Sequence, residues 1–260
     1  MTNPSDTNTQ GSLTGKVIVI TGASRGIGAA AARKLASLGA AVVINYKQRR
    51  DQAEKLMSEI VTSGGRGMVF QADVTQPDQV EAMGAAVNEE LGVVDVLVNN
   101  AYFPFEVGLI HEVSWHGIEE ATSSELGALY NCTQTFLPGM LEKKKGKIIV
   151  VSSRVAQQPL PRLGAYAAAK AAMEAMATTM AIELGPMGIN VNIVNPAFTL
   201  TDASLIMPEE FRERVRQNRP LQKHLYPDDI AGSIAFFSGD DSDMLTGSQI
   251  LVTGGSHLQL

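Results

Sequence analysis

The sequence predicts a single α/β domain in which a doubly wound parallel sheet has helices on both faces. The first unit, residues 16–28, reads KVIVITGASRGIG: a short β-branched run, a glycine-rich turn, and then a helix-forming stretch. The same alternation of apolar runs and helical stretches continues along the chain. Runs this short suit strands that are buried on both faces. Strands separated by helices pair in parallel through right-handed crossovers.

The strands are predicted from runs of β-branched and other apolar residues. They are expected at residues 17–20, 41–45, 67–71, 94–99, 147–151, 189–195 and 249–252. Residues 196–226 are the least regular stretch, and we expect them to form a substrate loop or lid.

The helices are predicted at residues 29–38, 51–63, from 77 onward, 118–141, 166–184 and 227–237. Gly64 and Gly65 end the second of these helices. Pro77 opens the third, because proline suits the first turn of a helix. Val80, Met83 and Val87 then follow at the spacing of one helix face.

Composition limits the classes of protein to consider. The 260 residues are 45% hydrophobic and 18% charged, which is enough apolar material for a large core. The net charge of −6 argues against a general nucleic-acid or anionic-membrane binder. Cys132, the single cysteine, is expected to be a buried small residue in a reducing compartment. With no apolar run of about 20 residues and no signal peptide, we expect a cytoplasmic protein. Residues 1–12 are expected to form a flexible tail, and residues 13–260 are expected to form the domain.

The turn at residues 21–28, TGASRGIG, predicts an anion site. Glycines let the backbone approach a pyrophosphate closely, while the free N–H groups and the dipole of the following helix favour negative charge. A glycine pattern alone could simply close a tight turn. Its position between a strand and a helix favours a nucleotide site.

Tyr166 and Lys170 lie four residues apart, which places both side chains on one helix face. Ser152 and Ser153 end the fifth predicted strand, at the sheet edge where such folds bind ligands. Taken alone, the helix could be an alanine-rich packing element. A tyrosine has a reference pKa of about 10, and a neighbouring cation lowers that value. Together with the glycine turn, the pair therefore suits a general acid or base.

From about residue 13 to residue 255 these motifs resemble the short-chain dehydrogenase/reductase family, and most closely its ketoacyl-acyl-carrier-protein-reductase type. The matching segments are TGASRGIG, Asp73-Val74, Asn99-Asn100-Ala101, Ser153, Tyr166 with Lys170, Asn195-Pro196, and TGSQILVTGG at residues 246–255. The interval 166 − 153 = 13 is the family's usual one, which selects Ser153 over Ser152.

The resemblance implies a Rossmann-type oxidoreductase that transfers hydride between a nicotinamide cofactor and a carbonyl or secondary alcohol. Tyr166 would protonate the carbonyl oxygen, Ser153 would hold that oxygen, and Lys170 would bind the nicotinamide ribose. The short Tyr–Lys spacing favours reduction of C=O over C=C. The expected substrate is a β-ketoacyl thioester or a similar small carbonyl compound, and the expected assembly is a homotetramer.

NADP(H) is predicted over NAD(H), because the second strand lacks the acidic residue that usually binds the ribose 2′-hydroxyl. It ends Asn45-Tyr46-Lys47 instead, and Arg25 adds a cation within the turn. These charges could also be ordinary surface residues. The residues expected to contact the cofactor are Gly22, Ser24, Arg25, Gly26, Ile27, Gly28, Asn45, Lys47, Asp73, Val74, Asn99, Ala101, Tyr166, Lys170, Pro196, Thr199 and Thr201.

Two departures from the family pattern bear on the chemistry. Tyr102, Phe103 and Phe105 follow the Asn-Asn-Ala motif where glycine is usual, and could either wall a pocket for a flat apolar substrate or pack the loop. Glu125 stands where the family usually has a catalytic asparagine, at the interval 166 − 125 = 41. Its carboxylate could meet Lys170. We favour the alternative that it points elsewhere, with its backbone carbonyl serving the relay. Because of Glu125, the alternative remains that the protein binds the cofactor but has no reductase activity.

Other charged groups are given structural interpretations. His111 and His116, with Glu112 between them, lack the spacing of metal ligands, so no metal site is predicted. A basic run is interpreted as a solvated helix face in preference to a site for an acyl-carrier or coenzyme A phosphate; its members are Arg212, Arg214, Arg216, Arg219 and Lys223.

Overall fold

The computed structural model describes residues 13–202 and 204–258. These residues form a seven-stranded parallel sheet with the strand order β3-β2-β1-β4-β5-β6-β7. The predicted fold class is therefore confirmed. The tail predicted at residues 1–12 lies outside the described residues.

The strands occupy the predicted runs, with ends that differ by at most two residues. They are β1 Val17–Ile20, β2 Ala41–Tyr46, β3 Arg66–Gln71, β4 Val96–Asn99, β5 Gly146–Val151, β6 Ile189–Pro196 and β7 Gln249–Val252. The fourth strand begins at Val96 rather than residue 94. The side chain of the preceding Asp95 accepts a hydrogen bond from Val17 N at 2.8 Å.

The helices are α1 Gly26–Ser37, α2 Arg50–Thr62, α3 Pro77–Glu90, α4 Trp115–Lys143, α5 Gly164–Leu184, α6 Glu209–Gln217 and α7 Pro227–Ser238. The stretch expected to be irregular, residues 196–226, contains α6. None of the helices within residues 13–202 and 204–258 has the length and apolar character needed to cross a bilayer.

Alternate residues of each strand face opposite sides of the sheet and build two apolar layers. Ile18 and Ile20 join one buried cluster with α1, α2 and α7. Val17 and Val19 join the other, with α3, α4 and α5. The strand order reverses between β1 and β4, so the carboxyl ends of these strands leave a crevice. Ligands bind at this position in doubly wound sheets.

Candidate active site

The glycine turn after β1 packs tightly against the end of β4. Gly22 has φ +62°, and a Cβ there would lie 2.8 Å from Ala101 Cα. A Cβ on Gly28 would lie 2.6 Å from Asn100 Nδ2. The Asn100 amide donates to Thr21 O at 2.9 Å and so ties the two strand ends together. The sequence needs glycine at these two positions because a Cβ would clash with the Ala101 backbone or with the Asn100 amide.

Asn45, which is predicted to contact the cofactor, forms a hydrogen bond with the glycine turn. It is buried at the end of β2, where its Oδ1 accepts from Gly22 N at 3.1 Å. Its Nδ2 donates to Ala72 O at 3.0 Å. The side chain thus fixes the backbone of the glycine turn and links the turn to the carboxyl end of β2.

Lys47 and Asp73 form an ion pair of 2.6 Å at the rim of the crevice. The Lys47 side chain is 58% exposed, and Asp73 also accepts from the Thr75 hydroxyl at 2.8 Å. Burial acts to raise the pKa of Asp73, but the hydrogen bonds from Lys47 and Thr75 outweigh it and hold that pKa below its ordinary value. Arg25, exposed at the start of α1, is a second cation of the turn.

Ser153, Tyr166 and Lys170 come from the end of β5 and the first two turns of α5. Ser153 is buried, and its Oγ accepts from Val155 N at 3.4 Å. Lys170 Nζ donates to Val151 O at 3.3 Å. The ammonium group lies 5.9 Å from the centre of the Tyr166 ring. The segment between β5 and α5 thus places hydroxyl, phenol and ammonium at one edge of the sheet.

Glu125 reaches this group, and the prediction that its side chain points elsewhere is wrong. Glu125 Oε1 lies 2.9 Å from Lys170 Nζ, and the two side chains are only 3% and 4% exposed. The packing of α4 against α5 directs the carboxylate inward. Burial acts to lower the pKa of Lys170, but the Glu125 carboxylate, helped by the phenols of Tyr166 and Tyr102, outweighs burial and raises that pKa. Lys170 is therefore held as a cation.

Aromatic rings of the loop after β4 surround Tyr166. The Phe105 ring stacks on Tyr166 at a centroid distance of 4.4 Å and an angle of 14°. Tyr102 meets Tyr166 edge-on at 6.5 Å and is 60% exposed. Phe105 also packs on the alanines of α4 and α5, and Phe103 packs on the core. The two phenylalanines therefore pack the loop, and Tyr102 alone is exposed beside the phenol.

Comparisons with known proteins decide the family. A family model described as enoyl-(acyl carrier protein) reductase matches residues 22–257. The chain belongs to the short-chain dehydrogenase/reductase family. It is similar to the 3-oxoacyl-acyl-carrier-protein reductase FabG of Staphylococcus epidermidis. The identity is 34% over 245 residues, which are 94% of this chain and 99% of that protein.

Two solved structures have the same fold. A dehydrogenase/reductase from Sinorhizobium meliloti matches with a TM-score of 0.86 and 32% identity, over 94% of this chain and 96% of that one. A short-chain dehydrogenase from Burkholderia cenocepacia, in complex with NADP, matches with a TM-score of 0.85 and 32% identity, over 94% and 99%. The predicted Rossmann-type fold and family are confirmed, and the chain is an oxidoreductase of the short-chain dehydrogenase/reductase family.

The other residues predicted from the short-chain dehydrogenase/reductase pattern lie around the same crevice. Asn99 is buried at the end of β4, and its Nδ2 has no hydrogen-bond partner among the described residues. Thr199 donates to Ala197 O at 2.9 Å after β6. Thr201 approaches the glycine turn, since a Cβ on Gly26 would lie 3.5 Å from Thr201 Cγ2. The remaining members are Ser24 and Ile27, both partly buried, and Val74 and Pro196, both buried.

The basic run is not wholly a solvated face, because Arg219 is 2% exposed. Its guanidinium donates to the carbonyl oxygens of Phe198 and Lys223. Burial lowers the pKa of Arg219, and the nearby Arg154 lowers it further. Arg219 thus holds the segment after β6 against the loop that follows α6. Sequence reasoning missed this role because the acceptors are backbone atoms, which leave no pattern in the side chains.

The remaining groups keep structural roles. His111 and His116 are exposed. Within the part of the chain that the structure describes, no three His, Cys, Asp or Glu side chains are grouped to hold a metal ion. Cys132 is buried in α4 as predicted, and burial raises the pKa of its thiol to about 12. Such a thiol is inert at neutral pH.

Proposed function

We propose that this protein is an NADPH-dependent ketoreductase in which Tyr166 is the proton donor. The observation that carries the proposal is the position of the Lys170 ammonium at the carboxyl edge of the sheet. It lies 5.9 Å from the Tyr166 ring and donates to Val151 O, two residues before Ser153. The similarity to the 3-oxoacyl reductase of Staphylococcus epidermidis supports an activity of that kind. The similarity to the Burkholderia cenocepacia dehydrogenase, which was solved in complex with NADP, supports NADP as the cofactor.

The crevice fits a nicotinamide dinucleotide. The glycine turn presents backbone N–H groups at the start of α1, which favour a pyrophosphate. Within the described part of the chain, the buried Nδ2 of Asn99 is a donor without an acceptor, as expected of a group that meets a ligand. Lys47 and Arg25 would hold a 2′-phosphate, Asp73 and Val74 would lie near the adenine, and Lys170 would meet the nicotinamide ribose. The bound cofactor would supply the hydride.

The chain's own residues would direct the carbonyl oxygen and its proton. Ser153 and Tyr166 provide two hydroxyl donors at the end of β5 and the start of α5, where negative charge develops on that oxygen. Tyr166 gives up its proton to the oxygen, and Lys170 supplies a positive charge beside the phenol that loses it. Glu125 keeps Lys170 protonated and fixes its position.

The proposed substrate is a β-ketoacyl thioester or a similar carbonyl compound. Exposed apolar side chains suit an acyl chain or a ring. Tyr102 lies beside the phenol. Val107 and Ile110 are exposed further along the loop after β4, and Leu160 is exposed before α5. The loop after β4 is joined to the segment before α5, since Gly108 N donates to Arg162 O at 3.1 Å. These two segments would form the entrance for the substrate.

Two alternatives have specific support. The description of the matching family model favours reduction of a C=C bond, whereas the four-residue spacing of Tyr166 and Lys170 favours C=O. The Glu125–Lys170 ion pair favours a cofactor-binding protein without catalysis, if the carboxylate draws the ammonium away from the ribose.

A substrate panel separates these functions. The purified protein is mixed with NADPH and, in turn, with β-ketoacyl thioesters, cyclic ketones, quinones and enoyl thioesters, and the absorbance of NADPH is followed. We expect oxidation of NADPH with at least one ketone and none with the enoyl thioesters. Turnover of the enoyl thioesters alone would support C=C reduction. Tight binding of NADPH with no turnover of any compound would support the non-catalytic alternative.

Lys47→Ala tests the cofactor preference. Losing one charge-assisted hydrogen bond to the 2′-phosphate costs about 1.5 kcal/mol, so the KM for NADPH is expected to rise roughly tenfold. The KM for NADH should change little. Arg50→Ala is the matched control, because Arg50 is an exposed cation that pairs with Glu54 on α2. Wild-type catalytic efficiency with NADH equal to that with NADPH would contradict the preference.

The assembly and the location stay predictions. By family resemblance we propose a homotetramer in the cytoplasm. Ala168, Ala171 and Ala175 leave small side chains exposed along α5, while Ala167 and Ala169 pack internally. A monomer mass by light scattering at micromolar concentration would rule out the tetramer.

A further inference from the structure

Glu174 is a buried carboxyl group on α5, one helical turn after Lys170. The Ser152 hydroxyl donates to Glu174 Oε1 at 2.7 Å. Gln157 Nε2 donates to Glu174 Oε2 at 3.4 Å. Among the residues that the structure describes, no lysine, arginine or histidine forms an ion pair with it.

A carboxyl group buried without a cation costs folding free energy, and well-packed apolar residues often replace buried charges without loss. Glu174 therefore adds something that an apolar residue could not. Its two partners, Ser152 and Gln157, are neutral donors on either side of Ser153 in the sequence. One carboxyl group thus holds the segment before Ser153 and the segment after it.

A second hydrogen bond from α5 holds the same end of β5. Lys170 Nζ donates to Val151 O at 3.3 Å, and Glu174 accepts from the next residue, Ser152. The last two positions before Ser153 are thereby fixed to the helix that carries Tyr166. The distance between the two proposed oxygen donors then depends on these contacts.

We propose that Glu174 is a positioning residue that sets the place of Ser153 relative to Tyr166. The proposal rests on the proposed function for the role of Ser153 in turnover. Rates of carbonyl chemistry fall steeply when a donor is displaced, by as much as about 10²-fold for 1 Å. The hydrogen bonds of the Glu174 carboxyl group go to Ser152 and Gln157 and not to the phenol or the lysine ammonium, so its effect passes through Ser153.

Kinetics of matched variants test this path. Glu174→Leu is expected to lower kcat roughly tenfold or more, with little change in the KM for NADPH. Glu174→Gln keeps an oxygen that accepts from Ser152 and should restore most of the lost turnover. In a Ser153→Ala background, Glu174→Leu should have no further effect on kcat. An equal loss in both backgrounds would overturn the proposal.

A chemical test does not depend on turnover. The Ser153→Cys variant carries one introduced thiol at the site, and the native Cys132 serves as an inert internal reference. Labelling by iodoacetamide, followed by mass spectrometry, should become several-fold faster when Glu174→Leu is added, and should stay unchanged with Glu174→Gln. Equal labelling rates in all three proteins would overturn the proposal.

The experiments also decide the proposal if Glu174→Leu does not fold or if the wild type reduces no ketone. If Glu174→Leu does not fold, Ser152→Ala removes the donor with less disturbance and should give the same fall in kcat and the same faster labelling. No change in either quantity would overturn the proposal. If the wild type reduces no ketone, the proposed function fails, while the labelling rates still decide whether Glu174 positions residue 153.

Discussion

Tyr166→Phe is expected to lower kcat for ketone reduction by roughly 10²-fold or more, because it removes the proposed proton donor and leaves the ring in place. The ring contacts with Phe105 and the position of Lys170 do not depend on the hydroxyl. The affinity for NADPH, measured by fluorescence titration, should therefore change much less than kcat.

Tyr130→Phe is the matched control for this loss. Tyr130 is an exposed phenol on α4, and its hydroxyl has no place in the proposed chemistry. Turnover of Tyr130→Phe should equal that of the wild type. If Tyr166→Phe keeps the wild-type kcat on the ketone that the panel identifies, another group donates the proton and the assignment is wrong.

Glu125→Leu is expected to lower the free energy of unfolding by roughly 3–5 kcal/mol, because it leaves the buried Lys170 ammonium without its carboxylate. Urea unfolding measures this loss as a lower midpoint. Glu120→Leu, an exposed glutamate on the same helix, is the control and should change the free energy by no more than about 0.5 kcal/mol. A loss in Glu125→Leu no larger than in that control would show that the pair contributes nothing.

The pH dependence gives this prediction a sign. In the wild type the pKa of Lys170 is raised above its ordinary value of 10.5, so the stabilisation is complete below pH 10.5 and is lost as pH rises through the raised value. In Glu125→Leu the largest opposing influence on the buried Lys170 is removed, so burial acts to lower the same pKa. Stability of the variant then increases with pH, and the difference between the two proteins should narrow toward pH 10.5.

Glu125→Asn separates stability from chemistry. Asparagine keeps a side-chain oxygen but carries no charge, so the Lys170 ammonium loses its charged partner. Turnover at or above the wild-type rate is therefore expected. A fall as large as that of Tyr166→Phe would mean that the carboxylate takes part in proton transfer.

The fold was predictable because its strands are local runs of apolar residues and its turns carry glycine or proline at the required places. The unpredicted bounds of α6 have a physical reason. This helix buries none of its residues, so it leaves no apolar stripe in the sequence. Its charges would have been the better guide, since Glu209 and Glu210 begin it and Arg214 and Arg216 end it, as the helix dipole favours.

The candidate site was predictable in its members and not in all of its contacts. Tyr166 and Lys170 follow from their spacing on one helix face, and the strand end gives Ser152 and Ser153, between which the family interval chooses Ser153. The direction of Glu125 depends on how α4 packs against α5, and that packing joins residues 170 − 125 = 45 positions apart. Glu174 was missed because its partners, Ser152 and Gln157, are neutral, and neutral donors do not mark a carboxyl group in the sequence.

The stacking of Phe105 on Tyr166 has a consequence for exchanging loops between relatives. A loop that selects substrates can usually be replaced without touching the reacting groups when the two are separate. Here the ring that closes the loop after β4 also covers one face of the proposed proton donor. Grafting a relative's loop onto this scaffold would therefore alter the surroundings of the phenol together with the range of substrates. A variant with a new substrate specificity would then need further changes to recover the wild-type kcat.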